Sequence, residues 1–118
     1  MKKVVITGMG VVSPVGCTLD SFWNSLVEGR SGVRSIQSFD ASDYPVTIAA
    51  EVTEFDVEKY MPAKDSKKMD PFSRYGFAAA TDAWEDAGLD AETVDSERAG
   101  VVMGCGTGGL HVAQKAGM

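Results

Sequence analysis

Residues 4–16 of this 118-residue chain read Val4-Val-Ile-Thr-Gly-Met-Gly-Val-Val-Ser-Pro-Val-Gly16. The first three form a short, continuous apolar run, which is typical of a strand covered on both faces in an α/β sheet. We therefore predict a strand over residues 3–8. The glycines and the proline that follow it predict a sharp turn of the backbone.

Two helices are predicted from their caps and from the spacing of their apolar residues. Thr18 suits the cap of the first, which should bury an aromatic stripe and end at Gly29. Asp70-Pro71 suits the start of the second, and Gly88 suits its end. One face of the second helix consists mainly of small residues, which predicts a closely packed neighbour; they are Gly76, Ala79, Ala80, Ala83 and Ala87.

The remaining pattern predicts shorter elements. Residues 30–45 lack a regular apolar period and are predicted to be a loop, followed by a strand within residues 46–52. Residues 99–103 form a second buried-type apolar run, and a last helix should begin at Leu110. Since no repeat, low-complexity tract or linker interrupts the chain, we expect residues 1–118 to be one segment without an internal domain boundary.

Composition restricts the classes of partner. The net charge of −6 disfavours nucleic acid and anionic membranes as ligands of the whole surface. No apolar run approaches the roughly 20 residues that span a bilayer, and the broken apolar start argues against a secretory signal. Cys17 and Cys105 lack the spacing of a metal site or a disulfide framework, which fits a cytoplasmic protein without a metal.

One dense basic cluster stands out against the acidic whole: Lys64-Asp-Ser-Lys-Lys68. Charge runs of this kind usually face water and nothing else. A locally positive patch on an acidic protein is also what an acidic partner would recognise. From the residues alone, both interpretations remain open.

Two glycine patterns are compared with nucleotide-binding loops. Gly8-x-Gly10-x-x-Ser13 lacks the third glycine, and Pro14 stands where a phosphate-binding helix should begin. Gly104-x-Gly106-x-x-Gly109 satisfies the formula, but the ribose-binding acid expected about 20 residues later is not in this sequence. Glycines that allow a tight turn and a close approach are the simpler interpretation, and a small nucleotide-binding domain stays as an alternative.

Cys105 and His111 suggest a thiol–imidazole pair near a helix start. Six residues along a helix correspond to a net rotation of about 240°, so two residues on one helix would point to different sides. No third group is evident to orient the imidazole, and a cysteine is often only a small buried residue. We therefore do not assign a catalytic pair here.

Several motifs together resemble one enzyme family. They are the stretch from Val4 to Gly16, Gly29-Arg-Ser-Gly-Val33, Phe39-Asp40, Lys68-Met-Asp-Pro-Phe72 with Tyr75, Asp86-Ala-Gly-Leu89, and Gly104-Cys-Gly-Thr-Gly-Gly-Leu110. Their order and spacing resemble the N-terminal part of the beta-ketoacyl-acyl-carrier-protein synthases, closest to the type that elongates longer chains. The resemblance covers essentially all 118 residues.

The resemblance implies an α/β, thiolase-like fold, of which this chain would be the N-terminal part of a layered αβαβα arrangement. It implies a cytoplasmic homodimer that uses acyl carrier protein as partner and needs no cofactor. The implied reaction is a decarboxylative Claisen condensation in fatty-acid biosynthesis. The family's nucleophilic cysteine and two histidines follow the region matched here, so Cys17, Cys105 and His111 are not expected to be catalytic.

Two features are carried over residue by residue. The family docks its acidic carrier protein on basic residues just before Met-Asp-x-Phe, where Lys64, Lys67 and Lys68 stand here. The variable residue of the glycine loop, Thr107, corresponds to a position that lines the acyl-chain pocket in long-chain members. A loop threonine bonded to nearby backbone is an equally simple interpretation of Thr107.

Two of the predicted strands are expected to lack sheet neighbours in a segment of this length. Strands over residues 3–8 and 99–103 would lose neighbours that later sequence supplies in the family, leaving apolar faces uncovered. We expect such a segment to be inactive in condensation when alone. A short, noncatalytic relative that acts as an interaction module is the remaining alternative.

Overall fold

A computed structural model of the chain describes residues 2–110, 114 and 117. The described residues belong to two compact units. One is Val11–Phe55, and the other combines Met1–Gly10 with Asp56–Met118.

The first unit contains helix α1, Leu19–Val27, where the caps predicted it. Thr18 Oγ1 accepts from the Ser21 backbone N–H at 3.2 Å, and Ser21 Oγ accepts from the Thr18 N–H at 3.1 Å. This reciprocal pair satisfies two of the donors that a helix start leaves unpaired. The helix ends at Gly29, whose φ of 66° is in the left-handed region. Both predicted ends are confirmed.

The prediction that α1 buries an aromatic stripe is wrong for the described chain. Trp23 is 64% exposed, and Val27 is 69% exposed. The only buried residue of the helix is Ser25. A unit of this size buries only a limited fraction of its surface, so much of this helix face stays exposed.

Two short antiparallel strands complete the first unit. Strand β1, Val33–Ser35, pairs with β2, Ile48–Ala50, with Arg34 opposite Ala49. The predicted strand within residues 46–52 is confirmed, whereas β1 lies in a segment predicted to be a loop. Three residues of the sequence Val-Arg-Ser carry too little alternation to reveal a strand, because its formation depends on its partner.

A carboxylate closes the open end of this ribbon. Glu51 Oε2 accepts from the Gln37 backbone N–H at 2.8 Å, and Glu51 Oε1 accepts from the Ser38 N–H at 3.2 Å. The hydrogen bond from the Ser38 hydroxyl, followed by that from the Gln37 backbone, lowers the pKa of Glu51. The ionised carboxylate thus fixes the residues that follow β1.

The second unit is built on helix α3, Pro71–Asp86. Asp70 occupies the cap position without a side-chain cap hydrogen bond, and Pro71 is the first helical residue. Gly88, with a φ of 63°, follows the C-cap residue Ala87. Its N–H donates to the Glu85 carbonyl at 3.0 Å, which is part of the usual glycine ending of a helix. The predicted helix is confirmed at both ends.

The small-residue face of α3 has the close neighbour that the sequence predicts. A Cβ atom added to Gly10 would overlap the Ala79 carbonyl and lie 2.9 Å from the Ala83 backbone nitrogen. A Cβ atom at Gly8 would lie 2.7 Å from the Ala87 Cβ atom. The Met9 N–H between them donates to Asp86 Oδ2 at 2.9 Å. The N-terminal segment therefore lies directly on α3.

The two strands predicted over residues 3–8 and 99–103 are not formed among the described residues. Val4 and Val102 are each 97% exposed, so neither apolar run is covered. A strand requires a partner for its backbone hydrogen bonds, and the described chain provides none at either place. Without such a partner in the described chain, neither run forms the strand that its composition predicts.

Shorter elements precede α3. A 3₁₀ turn over Val57–Lys59 leads into α2, Ala63–Ser66. Leu110, where a last helix was predicted, is helical, but the residues directly after it lie outside the described part.

The contact between Gly10 and α3 leads to a test of packing. We expect Gly10→Ala to lower the free energy of unfolding by about 2 kcal/mol or more, because its methyl group meets helix backbone rather than a flexible side chain. The φ angle of Gly10 is not positive, so overlap and not backbone strain is the cause. Thermal or denaturant unfolding measures the difference.

Gly100→Ala is the matched control, since a Cβ atom there would meet nothing within 4 Å. This control should change stability by no more than about 1 kcal/mol. Equal stability of the Gly10→Ala and Gly100→Ala proteins would contradict the close packing described here.

Candidate functional site

The three lysines singled out in the sequence lie on and directly after α2. Lys64 is inside the helix, Lys67 is its C-cap residue with helical backbone angles, and Lys68 follows. All three side chains are exposed. Residues spaced by three and four positions lie on the same side of a helical turn, so the structure brings these lysines together. We refer to Lys64, Lys67 and Lys68 as the lysine surface.

Little within the described chain neutralises the lysine surface. Lys68 Nζ is 3.9 Å from Asp65 Oδ1, and both side chains are more than half exposed, so the pair contributes little. In the part of the chain that the structure describes, no ion pair is recorded for Lys64 or Lys67. Residues 59–74 contain five cationic side chains and two carboxylates in a chain of net charge −6. This surface is therefore locally positive.

The conformation of α2 depends on its flanks, because a four-residue helix is not stable by itself. At its C-terminal side, Ser66 is buried and its hydroxyl donates to the Ala63 carbonyl at 3.0 Å. Beyond it, Arg74 Nε of α3 donates to the Met69 carbonyl at 2.9 Å. The residues after α2 are thus attached to α3.

At the N-terminal side, three polar residues attach the chain to α3; we call Lys59, Tyr60 and Asp82 the tether. The Tyr60 hydroxyl donates to Asp82 Oδ2 at 2.8 Å. Lys59 Nζ lies 3.4 Å from Asp82 Oδ1 and 4.7 Å from the centre of the Tyr60 ring. The sequence analysis did not identify these residues, because Asp82 is 22 positions from Tyr60 and no local pattern joins them.

The contacts of the tether raise the pKa values of two of its groups. Burial, and then the hydrogen bond to Asp82, raises the pKa of the Tyr60 phenol. The hydrogen bond with Tyr60, and then that with Asp82, raises the pKa of Lys59. Both shifts extend the neutral phenol and the cationic amine, which are the states that the tether uses, to higher pH.

The glycine loop lies against the first turn of α3. It forms a shallow cavity of about 190 Å³ together with that turn, and the lining residues are Asp70, Pro71, Phe72, Thr107, Gly108, Gly109 and Leu110. A Cβ atom at Gly108 would lie 2.8 Å from the Phe72 ring, so the loop backbone approaches the ring directly. Thr107 is exposed at this cavity.

The cysteines do not form a recognisable reactive site in the described residues. Cys105 is exposed, and its sulfur accepts a hydrogen bond from the Gly108 N–H at 3.2 Å. His111 lies outside the described residues, so the pairing of Cys105 with it is not described. Cys17 is half-buried and its thiol lies 3.8 Å from the Ser13 carbonyl oxygen. No cluster of metal-ligating side chains occurs within residues 2–110.

A second cavity, of about 360 Å³, lies within the unit Val11–Phe55. Arg34 crosses it, with Nη1 donating to Thr53 Oγ1 at 3.0 Å and Nη2 to the Pro14 carbonyl at 3.4 Å. Through these two hydrogen bonds, the guanidinium of Arg34 joins β1 to the loops that contain Pro14 and Thr53. The sequence analysis did not single out this residue.

The lysine surface and the loop cavity are neighbours along the chain. Lys68 is separated by one residue from Asp70, which lines the cavity and caps α3. The lysine surface thus ends just before the first turn of α3, which lines the cavity. For the helices within the described ranges, none combines the length and apolar character needed to cross a membrane.

Comparison with known proteins gives a consistent family. Residues 1–117 match the family described as "Beta-ketoacyl synthase, N-terminal domain". The chain is 44% identical over 113 residues to 3-oxoacyl-[acyl-carrier-protein] synthase 2 of Vibrio harveyi, covering 96% of this chain and 27% of the relative. It is 43% identical to the protein of the same name from Coxiella burnetii, covering 97% of this chain and 28% of the relative. The chain thus spans about a quarter of the length of these relatives.

A solved structure agrees with the sequence relatives. The ishigamide ketosynthase/chain length factor is 35% identical, with a TM-score of 0.65 over 75% of this chain and 22% of that chain. The predicted thiolase-like fold class is confirmed, with this chain as part of it. The relatives give no support to a small nucleotide-binding domain or a noncatalytic module.

Caps, small-residue packing and the glycine loop thus occur together in a chain matched along nearly its whole length. The chain belongs to the beta-ketoacyl synthase family, of which it carries the N-terminal domain region.

Proposed function

We propose that this chain is the N-terminal segment of a 3-oxoacyl-acyl-carrier-protein synthase of fatty-acid biosynthesis, without an internal domain boundary. The observation that carries the proposal is the match of residues 1–117 to the family, with relatives of that name at 44% identity. The whole enzyme would be a cytoplasmic homodimer that needs no cofactor or metal.

The proposed reaction makes one carbon–carbon bond. An acyl group passes from carrier protein to an enzyme cysteine, and the carrier thiol leaves. Malonyl-carrier protein then loses carbon dioxide, and the resulting carbanion attacks the acyl-enzyme thioester, releasing the cysteine thiolate and the beta-ketoacyl product. By the family resemblance, that cysteine and two histidines lie after this segment, so this segment carries no catalytic residue.

This segment would contribute first by docking the carrier protein on the lysine surface. Lys64, Lys67 and Lys68 are exposed, lie within five residues on and directly after α2, and have little internal neutralisation. Local positive charge on an otherwise acidic protein directs an acidic partner to one place and raises its association rate. Nucleic acid and membranes are not proposed as partners, because a net charge of −6 disfavours both.

The second contribution would be to the acyl-chain pocket. Thr107 lies at the cavity between the glycine loop and the first turn of α3, beside Phe72. Its small, β-branched side chain leaves room there that a larger apolar residue would fill. Chain-length preference should therefore respond to the volume of this side chain.

The docking proposal is tested in the complete protein with Lys67→Glu/Lys68→Glu. We expect binding of acyl carrier protein at low salt to weaken by about tenfold or more, because attraction is replaced by repulsion. The difference in affinity between the variant and the wild type should become smaller at higher salt concentration, because dissolved ions screen exposed charges. Titration calorimetry or surface plasmon resonance at two salt concentrations gives the comparison.

Lys2→Glu/Lys3→Glu is the matched control, because it changes net charge equally at two other exposed lysines. This control should bind nearly as the wild type does. Wild-type affinity of the Lys67→Glu/Lys68→Glu protein at low salt would reject the docking role.

The pocket proposal is tested with Thr107→Phe in the complete enzyme. The larger ring should reduce kcat/KM for long acyl substrates more than for short ones, because it fills the cavity of about 190 Å³. Assays over a series of acyl-chain lengths measure the ratio. Thr93→Phe, at another exposed threonine, is the control. A long-to-short ratio that Thr107→Phe leaves unchanged would refute the role of this residue.

A further inference from the structure

The lysine surface has the right charge, but charge alone does not fix its shape. Its helix, α2, has four residues, and Pro62 at the cap position makes no side-chain cap hydrogen bond. A single helical turn gains too few hydrogen bonds to offset the cost of its nucleation. The arrangement of the lysines must therefore come from the attachments on either side of the helix.

Both attachments lead to the same helix. Before α2, the Tyr60 hydroxyl binds Asp82, and after α2 the Met69 carbonyl binds Arg74. Asp82 and Arg74 are both in α3 and are eight residues apart, which corresponds to about 12 Å along the axis. The segment between Tyr60 and Met69 is thus held at two separate points of one rigid element.

The bond at Tyr60 is well placed to act on the lysines. Tyr60 is only four residues from Lys64, and the adjacent Met61 is buried, with 8% of its surface exposed. Asp82 accepts from both Tyr60 and Lys59, and its side chain is only 19% exposed, which protects these bonds from screening. Loss of the tether would leave the first half of this segment without its polar attachment to α3.

We propose that the tether formed by Lys59, Tyr60 and Asp82 positions the lysine surface for carrier-protein docking. This inference rests on the proposed function. Lys59, Tyr60 and Asp82 act here as positioning residues, not as contacts that supply the attraction.

The tether and the lysines should affect different steps of binding. Removing the Tyr60 hydroxyl leaves every charge of the lysine surface in place, so long-range attraction and the association rate persist. The docked complex then has to order a looser segment, which weakens the bound state and raises the dissociation rate. Charge reversal at the lysines instead lowers the association rate and makes that rate less dependent on salt concentration.

The test uses the complete protein and holo-acyl carrier protein, with association and dissociation rates measured at low salt. Tyr60→Phe should raise the dissociation rate about tenfold or more, as expected for one hydrogen bond to a charged group, with the association rate within about twofold of wild type. Tyr44→Phe removes a hydroxyl from an exposed tyrosine of the other unit and should leave both rates unchanged.

A second pair of variants separates positioning from a general loss of folding. Asp82→Ala, which removes the acceptor, should raise the dissociation rate, and Asp82→Glu, which keeps a carboxylate, should raise it less. Adding Tyr60→Phe to Asp82→Ala should cause little further change, because both remove the same hydrogen bond. All rates are taken below the unfolding temperature of each variant.

The outcomes distinguish the two proposals. A wild-type protein that does not bind the carrier overturns the proposed docking function and this inference together. If Lys67→Glu/Lys68→Glu weakens binding but Tyr60→Phe dissociates at the wild-type rate, the positioning role of the tether is rejected and the docking function is retained. A lower association rate in Tyr60→Phe, equal to that of the lysine variants, would also contradict a positioning role.

Discussion

The close contact between the N-terminal segment and α3 is the constraint on which the second unit depends. Gly8 and Gly10 bring backbone against the backbone and methyl groups of Ala79, Ala83 and Ala87. The two backbones can lie this close because the N-terminal segment has glycines at the contact and α3 has alanines. Both sets of small residues are therefore needed. The hydrogen bond from the Met9 N–H to Asp86 fixes the register of the two segments. The position of α3 in the unit follows from this contact.

Other residues of α3 position the remaining features of the candidate site. Its first turn, at Asp70 and Phe72, lines the cavity beside Thr107. Further along, Arg74 and Asp82 hold the segment that carries the lysine surface. Docking of a carrier protein and lining of an acyl pocket would thus both be organised by one helix. This explains why motifs that are separated in the sequence contribute to one region of the fold.

Local signals predicted the parts of the structure that local interactions stabilise. Thr18, Gly29, Asp70 and Gly88 define both long helices, because caps act through neighbouring backbone groups. The basic cluster of Lys64, Lys67 and Lys68 was visible in the sequence because its members are close neighbours along the chain, and its docking role stays a prediction. Strand β1 and the tether were not visible in the sequence, because each depends on a partner more than ten residues away. Residues 3–8 and 99–103 read as strands but lack strand partners in the described chain.

In the proposed function, α3 presents residues 62–70 to an acidic carrier protein. Hydrogen exchange of the complete protein, followed by mass spectrometry with and without acyl carrier protein, measures this contact. The carrier should slow exchange in residues 62–70 and leave the β1–β2 ribbon, Val33–Ser35 with Ile48–Ala50, unchanged. Protection confined to the ribbon, with none in residues 62–70, would rule out this role of α3.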